Sequence, residues 1–317
     1  MNRRMRIAEW TCAIPGVCLT AAGKTLSGRE NRVPAAVKQC HTASPDFRNR
    51  AALCRLGMAA CLLAVAGGCS RSQETPAASS RQRTVSVAAA ADLKFALDDL
   101  ATLFRAAHPD IGIRVTYGSS GNFFTQLSSH APFDIFFSAD IEYPHKLIDQ
   151  GLGLKETEFR YAVGRIVVWV PKSSLLDINK LGIEALADTS VRKVAIANPK
   201  HAPYGRAAEA AMKKLGVYDR VKDRLVFGEN IAQTAQFVET GAADIGVVAL
   251  SLAIAPRMRD KGRYWNVPLD AYPPMEQGGV ILAWANDPQA AGLLRSFVLG
   301  EQGREILRQY GSFLPEK

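Results

Sequence analysis

The sequence predicts an α/β protein with two lobes, each built on a mainly parallel β-sheet that is flanked by helices. Short apolar runs alternate with amphipathic segments from Thr84 onward, which is typical of βαβ units and of sheets that are covered on both faces. The 317 residues are enough for one large domain or two modest lobes with a sizeable core. The number of βαβ units favours two lobes.

The first predicted unit begins with a buried strand at 85–90 and continues into a helix. The apolar residues of this helix recur at helical spacing: Leu93, Leu97, Leu100, Phe104 and Ala107. Further strands are predicted at 113–117, 133–138, 166–170, 194–197, 244–249 and 280–284, and further helices near 205–215, 230–240 and 288–309. We assign 84–163 plus 271–317 to lobe 1 and 164–270 to lobe 2.

The positive charge of the chain is concentrated in its first part. The formal net charge is +9, but residues 1–69 hold ten Lys and Arg against three Asp and Glu, and residues 70–317 carry a net charge of only +2. A body this close to neutral has no basic field that favours DNA or RNA. All six cysteines also lie within residues 1–69, which excludes a disulfide, a thiolate metal site and a cysteine nucleophile in the body.

The sequence of residues 51–68 predicts a secretory signal segment. Arginines precede an apolar run at 56–66 that is shorter than the roughly 20 residues of a membrane-spanning helix. The run ends in AGGC at 66–69, which resembles a bacterial lipoprotein cleavage site with Cys69 as the lipidated residue, although Ala66 stands where leucine is usual. Plain cleavage after a small residue and a buried apolar helix are the alternatives.

Residues 1–69 are therefore predicted to be a leader, and polar residues 70–83 a flexible tether. Residues 1–50 show no sustained period, and an over-extended gene start is one explanation for them. This organisation predicts a protein of the periplasm or of the extracytoplasmic face of the membrane, with a lipid anchor if Cys69 is lipidated.

Four predicted strand-to-helix junctions consist mainly of small and polar residues. They are AAADL at 89–93, YGSSGN at 117–122, NPKHAPYG at 198–205 and GENIA at 228–232. Helix starts leave free backbone N–H groups and a partial positive charge, and Gly and Ser let the backbone approach a ligand. Each junction alone is also typical of an ordinary turn and cap, but several converging junctions would bind a tetrahedral anion without Lys or Arg.

The body resembles the molybdate-binding proteins of ABC transporters, over roughly residues 84–315. The resemblance rests on the following segments: VAAAADLKFAL (87–97), GSSGNFFTQL (118–127), APFDIFFSAD (131–140), NPKHAPYG (198–205), GENIAQTAQFVETGAADIGVVALS (228–251) and YGSFLP (310–315). It implies the two-lobed fold of type II periplasmic-binding proteins, in which two crossovers form a hinge. It also implies a protein that captures molybdate or tungstate between the lobes and passes it to the membrane permease of an ABC importer.

The resemblance further implies which residues contact the anion. Ser120 would offer its hydroxyl and backbone N–H, Tyr204 its backbone N–H and its phenol, and Ile231 its backbone N–H. The turn at Ala91 and Asp92 would supply donors from the first junction. The implied protein is a monomer without an organic cofactor, and no metal cation is bound because the metal arrives as an oxyanion.

Two positions depart from the family pattern. Ala249 stands where some members have a tyrosine, and Tyr204 is a candidate substitute for it. Asp92 stands where Ser or Asn is usual, and a carboxylate can only accept hydrogen bonds. Asp92 is therefore open to three interpretations: it caps its own helix, it accepts a proton from a protonated anion, or it contacts the metal centre of an expanded oxyanion.

The sequence leaves other functions open as alternatives to molybdate capture. The same fold binding phosphate, arsenate or sulfate is the nearest alternative, followed by the effector domain of a transcription regulator, which would need a DNA-binding segment upstream. An enzyme is not expected, because the body has no cysteine, metal motif or Ser-His-Asp order. Asp134 and Asp140 flank the third strand, where sheet-end capping is favoured over a catalytic pair, and His201 is the histidine nearest the predicted anion site.

Overall fold

The computed structural model describes residues 83–313, which belong to one compact unit, Gln73–Lys317. A separate unit, Met1–Ser72, lies outside the described residues, and so do the predicted signal segment, Cys69 and residues 70–82 of the tether. Within residues 83–313, no helix combines the length and the apolar character needed to cross a bilayer.

Ten strands and ten helices make up the described part of the chain. The strands are β1 (Arg83–Ala90), β2 (Ile111–Gly118), β3 (Ile135–Ser138), β4 (Phe159–Gly164), β5 (Ile166–Pro171), β6 (Val194–Ala197), β7 (Leu225–Gly228), β8 (Ile245–Ala249), β9 (Gly262–Asn266) and β10 (Met275–Ile281). The helices are α1 (Lys94–Ala107), α2 (Ser120–Ser128), α3 (Glu142–Asp149), α4 (Ile178–Leu181), α5 (Pro203–Lys214), α6 (Tyr218–Val221), α7 (Ile231–Glu239), α8 (Leu250–Ala253), α9 (Pro288–Leu299) and α10 (Glu301–Gln309).

The strands form two five-stranded sheets, in the orders β2-β1-β3-β10-β4 and β7-β6-β8-β5-β9. In the first sheet β1 pairs parallel with β2 and β3, whereas β10 pairs antiparallel with β3 and β4. In the second sheet β5 is the antiparallel strand, between β8 and β9. One strand of each sheet therefore opposes the other four, and the predicted mainly parallel sheets are confirmed.

Two crossovers connect the sheets. The chain passes from β4 to β5 through Arg165 alone, and it returns from β9 to β10 through residues 267–274. The first sheet thus takes its strands from residues 83–164 and 275–281, and the second from residues 166–266. The two-crossover arrangement agrees with the predicted fold class.

Apolar periodicity predicted the central strands better than the outer ones. Strand β6 has the predicted bounds, and β1 consists largely of fully buried residues. Three edge strands, β4, β7 and β9, were missed. The sequence of β9, GRYWN, has no apolar run. The prediction of a strand at 280–284 was wrong in its bounds, since β10 begins at Met275 with a stretch that contains Glu, Gln and two glycines. The predicted helix at 288–309 is two helices that meet at Gly300.

Parallel strands place the predicted junctions at common sheet edges. Strands β1 and β2 end side by side, with Ala90 opposite Gly118, and β6 and β7 end side by side, with Ala197 opposite Gly228. The chain enters a short 3-10 turn after β1, and it enters α2, α5 and α7 after β2, β6 and β7. Ligands of such sheets bind beyond the carboxyl ends of the strands, which directs attention to these four helix starts.

Candidate functional site

One small cavity is lined by residues from all four predicted junctions. It contains all five residues predicted to contact an anion: Ala91, Asp92, Ser120, Tyr204 and Ile231. The remaining lining residues are Ala90, Gly118, Ser119, Ala139, Ala202 and Pro203. Asp92 is the only acidic residue in this lining, and the lining has no Lys, Arg or His.

The carboxyl group of Asp92 lies at the base of a buried hydrogen-bond network. Its Oδ2 atom accepts from the phenol of Tyr204 at 3.1 Å and from Nε2 of Gln277 at 2.8 Å. The same Nε2 also donates to the Tyr204 oxygen at 2.9 Å. Three buried side chains from β10, α5 and the turn after β1 therefore form a closed triangle of hydrogen bonds.

The second carboxyl oxygen of Asp92 is buried without a hydrogen-bond partner among the described residues. Burial raises the pKa of this carboxyl to about 6, although hydrogen bonds from Gln277 and Tyr204 oppose the shift. Asp92 is only 3% exposed. The interpretation that Asp92 caps its own helix fails, because its side chain bonds Tyr204 and Gln277 instead and the turn has no side-chain cap.

Ser120 opens helix α2 at the second junction. Its hydroxyl oxygen accepts from the backbone N–H of Ala139 at 2.9 Å, and the residue is 1% exposed. Because a hydroxyl can accept and donate at once, its proton stays available for a ligand in the cavity. Ser120 thus connects β3 to the start of α2 while presenting one donor.

His201 contacts the start of α2 from the third junction. Its Nδ1 atom lies 2.9 Å from the hydroxyl of Ser119, and its carbonyl accepts from the N–H of Gly121 at 2.9 Å. A Cβ at Gly121 would meet the His201 backbone at 2.5 Å, so this approach requires glycine. The histidine nearest the predicted site therefore binds across the two sheets and does not line the cavity.

Helix α5 begins with Pro203 and places Tyr204 against the cavity. Proline suits the first position of a helix, because a backbone N–H there would have no partner within the helix. Tyr204, the next residue, is 3% exposed. The phenol was expected to offer a contact to the anion, but it donates to Asp92. The phenolic pKa is raised well above its usual value, first by burial and then by the Asp92 charge.

The fourth junction is capped by Asn230. The Asn230 side chain accepts from the N–H groups of Ala232 and Gln233, both at 3.0 Å. Ile231 is the first residue of α7 and lines the cavity. The cap therefore occupies two of the N–H groups that a helix start leaves free, and that of Ile231 is not one of these two.

Gln277 was missed by the sequence analysis. It lies in a stretch of β10 whose Glu and Gly residues resemble a loop, yet it is 1% exposed. A Cβ at Gly164 would meet Tyr204 Oη at 2.7 Å and Gln277 Nε2 at 2.8 Å. Glycine at the end of β4 thus leaves room for the network, a signal that is recognisable only once the strands are paired.

Asp134 has a structural role, as the capping interpretation predicted. It is fully buried and accepts from the N–H groups of Ser86 at 2.6 Å and Asn286 at 2.7 Å. Asp140 accepts from the N–H of Glu142 and pairs with Arg206 at 2.6 Å. The two carboxyl groups serve different backbone segments and do not share bonding partners, which argues against a catalytic pair.

Comparison with known proteins agrees with this geometry. A family model described as a bacterial extracellular solute-binding protein matches residues 85–312. The molybdate-binding protein of Azotobacter vinelandii is 38% identical over 229 residues, which cover 72% of this chain and 88% of that protein. The molybdate-binding protein of Rhodobacter capsulatus is 40% identical over 202 residues, which cover 63% of this chain and 77% of that protein.

A solved structure shows the same fold. The periplasmic molybdate-binding protein of Azotobacter vinelandii superimposes with a TM-score of 0.69 and 32% identity, and the match covers 73% of this chain and all of that one. The residues that match the family model, 85–312, include both sheets and the cavity between the four helix starts.

Proposed function

Because the chain belongs to the bacterial extracellular solute-binding protein family, we propose that it captures molybdate or tungstate in this cavity and delivers it to the permease of an ABC importer. The observation that carries the proposal is the meeting of four helix starts at one small cavity whose lining has no Lys or Arg. Such an arrangement is suited to an anion, because helix starts present N–H donors and partial positive charge.

The donors are expected to come from neutral groups. The Ser120 hydroxyl and the backbone N–H groups of the Ala91–Asp92 turn would bind from the first sheet, and those of Tyr204 and Ile231 from the second. Neutral dipoles satisfy a dianion by many hydrogen bonds while release remains feasible, which a transport protein needs. The choice of molybdate follows the names of the two relatives and of the superimposed structure.

Capture is proposed to close the two sheets on the ligand. Only a closed arrangement brings donors from both sheets to one anion, so binding favours that form. The importer would then recognise the closed protein outside the cytoplasmic membrane.

A thermal-shift titration of the purified protein tests the function. A ligand that binds only the folded state raises the melting temperature as its concentration exceeds the Kd. We expect molybdate and tungstate to raise it, and sulfate and phosphate to leave it unchanged at the same concentrations. Stabilisation by phosphate or arsenate alone would reject molybdate and would mean that Asp92 selects an anion that carries a proton.

A further inference from the structure

The two oxygens of the Asp92 carboxyl have opposite surroundings. Oδ2 accepts two hydrogen bonds, from Tyr204 and Gln277, whereas Oδ1 is buried and has no partner among the described residues. Both donors are themselves fully engaged, since the Gln277 amide also donates to the phenol. A proton on this carboxyl therefore has one place to reside, and that place is Oδ1.

The cavity that Asp92 lines is also the proposed anion site, so its charge matters to any ligand. An ionised carboxylate can only accept hydrogen bonds, and next to a dianion it is repulsive. No described residue forms a salt bridge with Asp92. A neutral carboxylic acid, by contrast, removes the repulsion and offers an O–H donor.

Charged and titratable groups on the neighbouring elements are engaged elsewhere. They are Lys94 with Asp98 and the Tyr117 ring, Tyr161 with the Ser138 carbonyl, Arg165 with the Phe313 ring, His201 with Ser119 and Glu229, Arg206 with Asp140, Glu229 with Asn122, Glu239 with Lys261, and Glu276 with Arg160. The protonation of Asp92 is consequently governed by its own burial, its two donors and the ligand.

We propose that Asp92 holds the captured oxyanion as a neutral carboxylic acid, with its Oδ1–H donating to a ligand oxygen, so that capture by protein with ionised Asp92 takes up one proton. This inference rests on the proposed function and specifies how that site accepts a dianion. On binding, a proton from solvent joins Oδ1 without any change in oxidation state. On release, the proton returns to water with the departing ligand.

The direction of the pH dependence follows from the free and bound states. Without ligand the pKa of Asp92 is about 6 because of burial, and a neighbouring dianion raises it further. At a pH below the pKa that Asp92 has in the ligand-free protein, Asp92 is already protonated, so binding takes up no proton. Between the free and bound values, affinity should fall about tenfold for each pH unit that the pH rises.

Calorimetry with molybdate as the probe tests this coupling. At about pH 8, the binding enthalpy should vary with the ionisation enthalpy of the buffer by an amount equivalent to about one proton taken up. Across a series from about pH 6 to about pH 9, the Kd of the unaltered protein should rise with pH. This proton count needs no variant and does not depend on how any variant folds.

Asp92→Asn supplies the matched variant, because an amide keeps an acceptor for Tyr204 and Gln277 and places a permanent donor where Oδ1 lies. It should bind molybdate with no proton uptake, with a pH-independent Kd, and at least about tenfold more tightly than the unaltered protein near pH 8. Asp140→Asn is the control, because it removes a nearby carboxylate outside the cavity lining and should retain both the proton uptake and the pH slope.

The outcomes separate this inference from the proposed function. Molybdate binding with no proton uptake and a flat pH profile would overturn the role of Asp92 and leave the function standing. If neither molybdate nor tungstate binds anywhere in the pH series, the proposed function fails and this inference fails with it.

Discussion

The hydroxyl of Ser120 serves both the fold and the proposed ligand. Its oxygen accepts from the Ala139 backbone at 2.9 Å, which fixes the start of α2 against the end of β3. The residue also lines the cavity, where the proposed function needs its hydroxyl as a donor. Asp92 and Tyr204 also have two roles. Both line the cavity, and the hydrogen bond between them joins the two sheets beside the site.

Ser120→Ala should weaken molybdate binding and also lower the free energy of unfolding, without preventing folding. Loss of one hydrogen bond to a charged ligand corresponds to about 1.5–3 kcal/mol, or roughly tenfold to a hundredfold in Kd. The unpaired N–H of Ala139 should lower the free energy of unfolding by about 1–3 kcal/mol. Calorimetry and denaturant titration measure the two effects.

Ser128→Ala is the control on the same helix. Ser128 lies at the far end of α2, where its hydroxyl donates to Gln150. Loss of this hydroxyl should therefore leave the Kd for molybdate unchanged. Equal affinities of the Ser120 and Ser128 variants would place the ligand away from Ser120.

Close approach of helices to strands sets where the four helix starts lie. Gly205, in the first turn of α5, has no space for a Cβ, which would collide with the carbonyl of Ala197 and approach Pro199 N at 2.8 Å. Gly228 is similarly confined, since a Cβ would approach the N–H of Thr234 at 2.8 Å. Glycine is needed at both positions because the backbone of one segment packs directly against the backbone of another.

Gly205→Ala should displace the start of α5 and carry Tyr204 with it. We expect the free energy of unfolding to fall by about 1–3 kcal/mol from overpacking and molybdate affinity to fall as well. Gly292→Ala is the matched control, because Gly292 lies within α9 and its Cβ would meet nothing within 4 Å.

In an open helix position, alanine is favoured over glycine by about 0.5–1 kcal/mol, so Gly292→Ala should be neutral or stabilising with unchanged binding. Denaturant titration of both variants makes the comparison. A Gly205→Ala protein as stable and as active in binding as the Gly292→Ala protein would show that the close approach is not needed.

Polar contacts that bridge the two sheets surround the cavity. Arg206 on α5 pairs with Asp140, which follows β3, at 2.6 Å, and Asn122 on α2 donates to Glu229, which follows β7. These pairs are partly exposed, so each should contribute little alone. The buried bond between Asp92 and Tyr204 joins the same two sheets, and the proposed capture would favour the arrangement in which all of these bonds form.

Molybdate should therefore reduce the radius of gyration measured by small-angle scattering, as the open population closes.

Arg206→Ala should raise the ligand dissociation rate by a few-fold, consistent with about 0–1 kcal/mol for an exposed pair. Arg220→Ala is the control, since Arg220 pairs with Glu184 at 2.8 Å within the segment that forms the second sheet. A radius unchanged by saturating molybdate would contradict closure.

Much of the fold was evident from local pattern. Parallel strands buried on both faces give continuous apolar runs, so β1, β5, β6 and β8 were predicted close to their observed bounds. The four helix starts were also predicted, because Gly, Ser and Pro at a junction have local conformational reasons to be there. Anion capture at these starts remains a prediction.

The sequence by itself determined the order of the buried strands along the chain, since periodicity and turn chemistry act between neighbours. Its resemblance to the molybdate-binding proteins implied the five residues that line one cavity. Only the tertiary structure decided the partners of Asp92. Tyr204 lies 112 residues away and Gln277 lies 185 residues away, and both reach Asp92 through the pairing of distant strands and the packing of two sheets. Burial of a carboxyl depends on everything that surrounds it, so its raised pKa and its unpaired oxygen have no signature in the residues on either side.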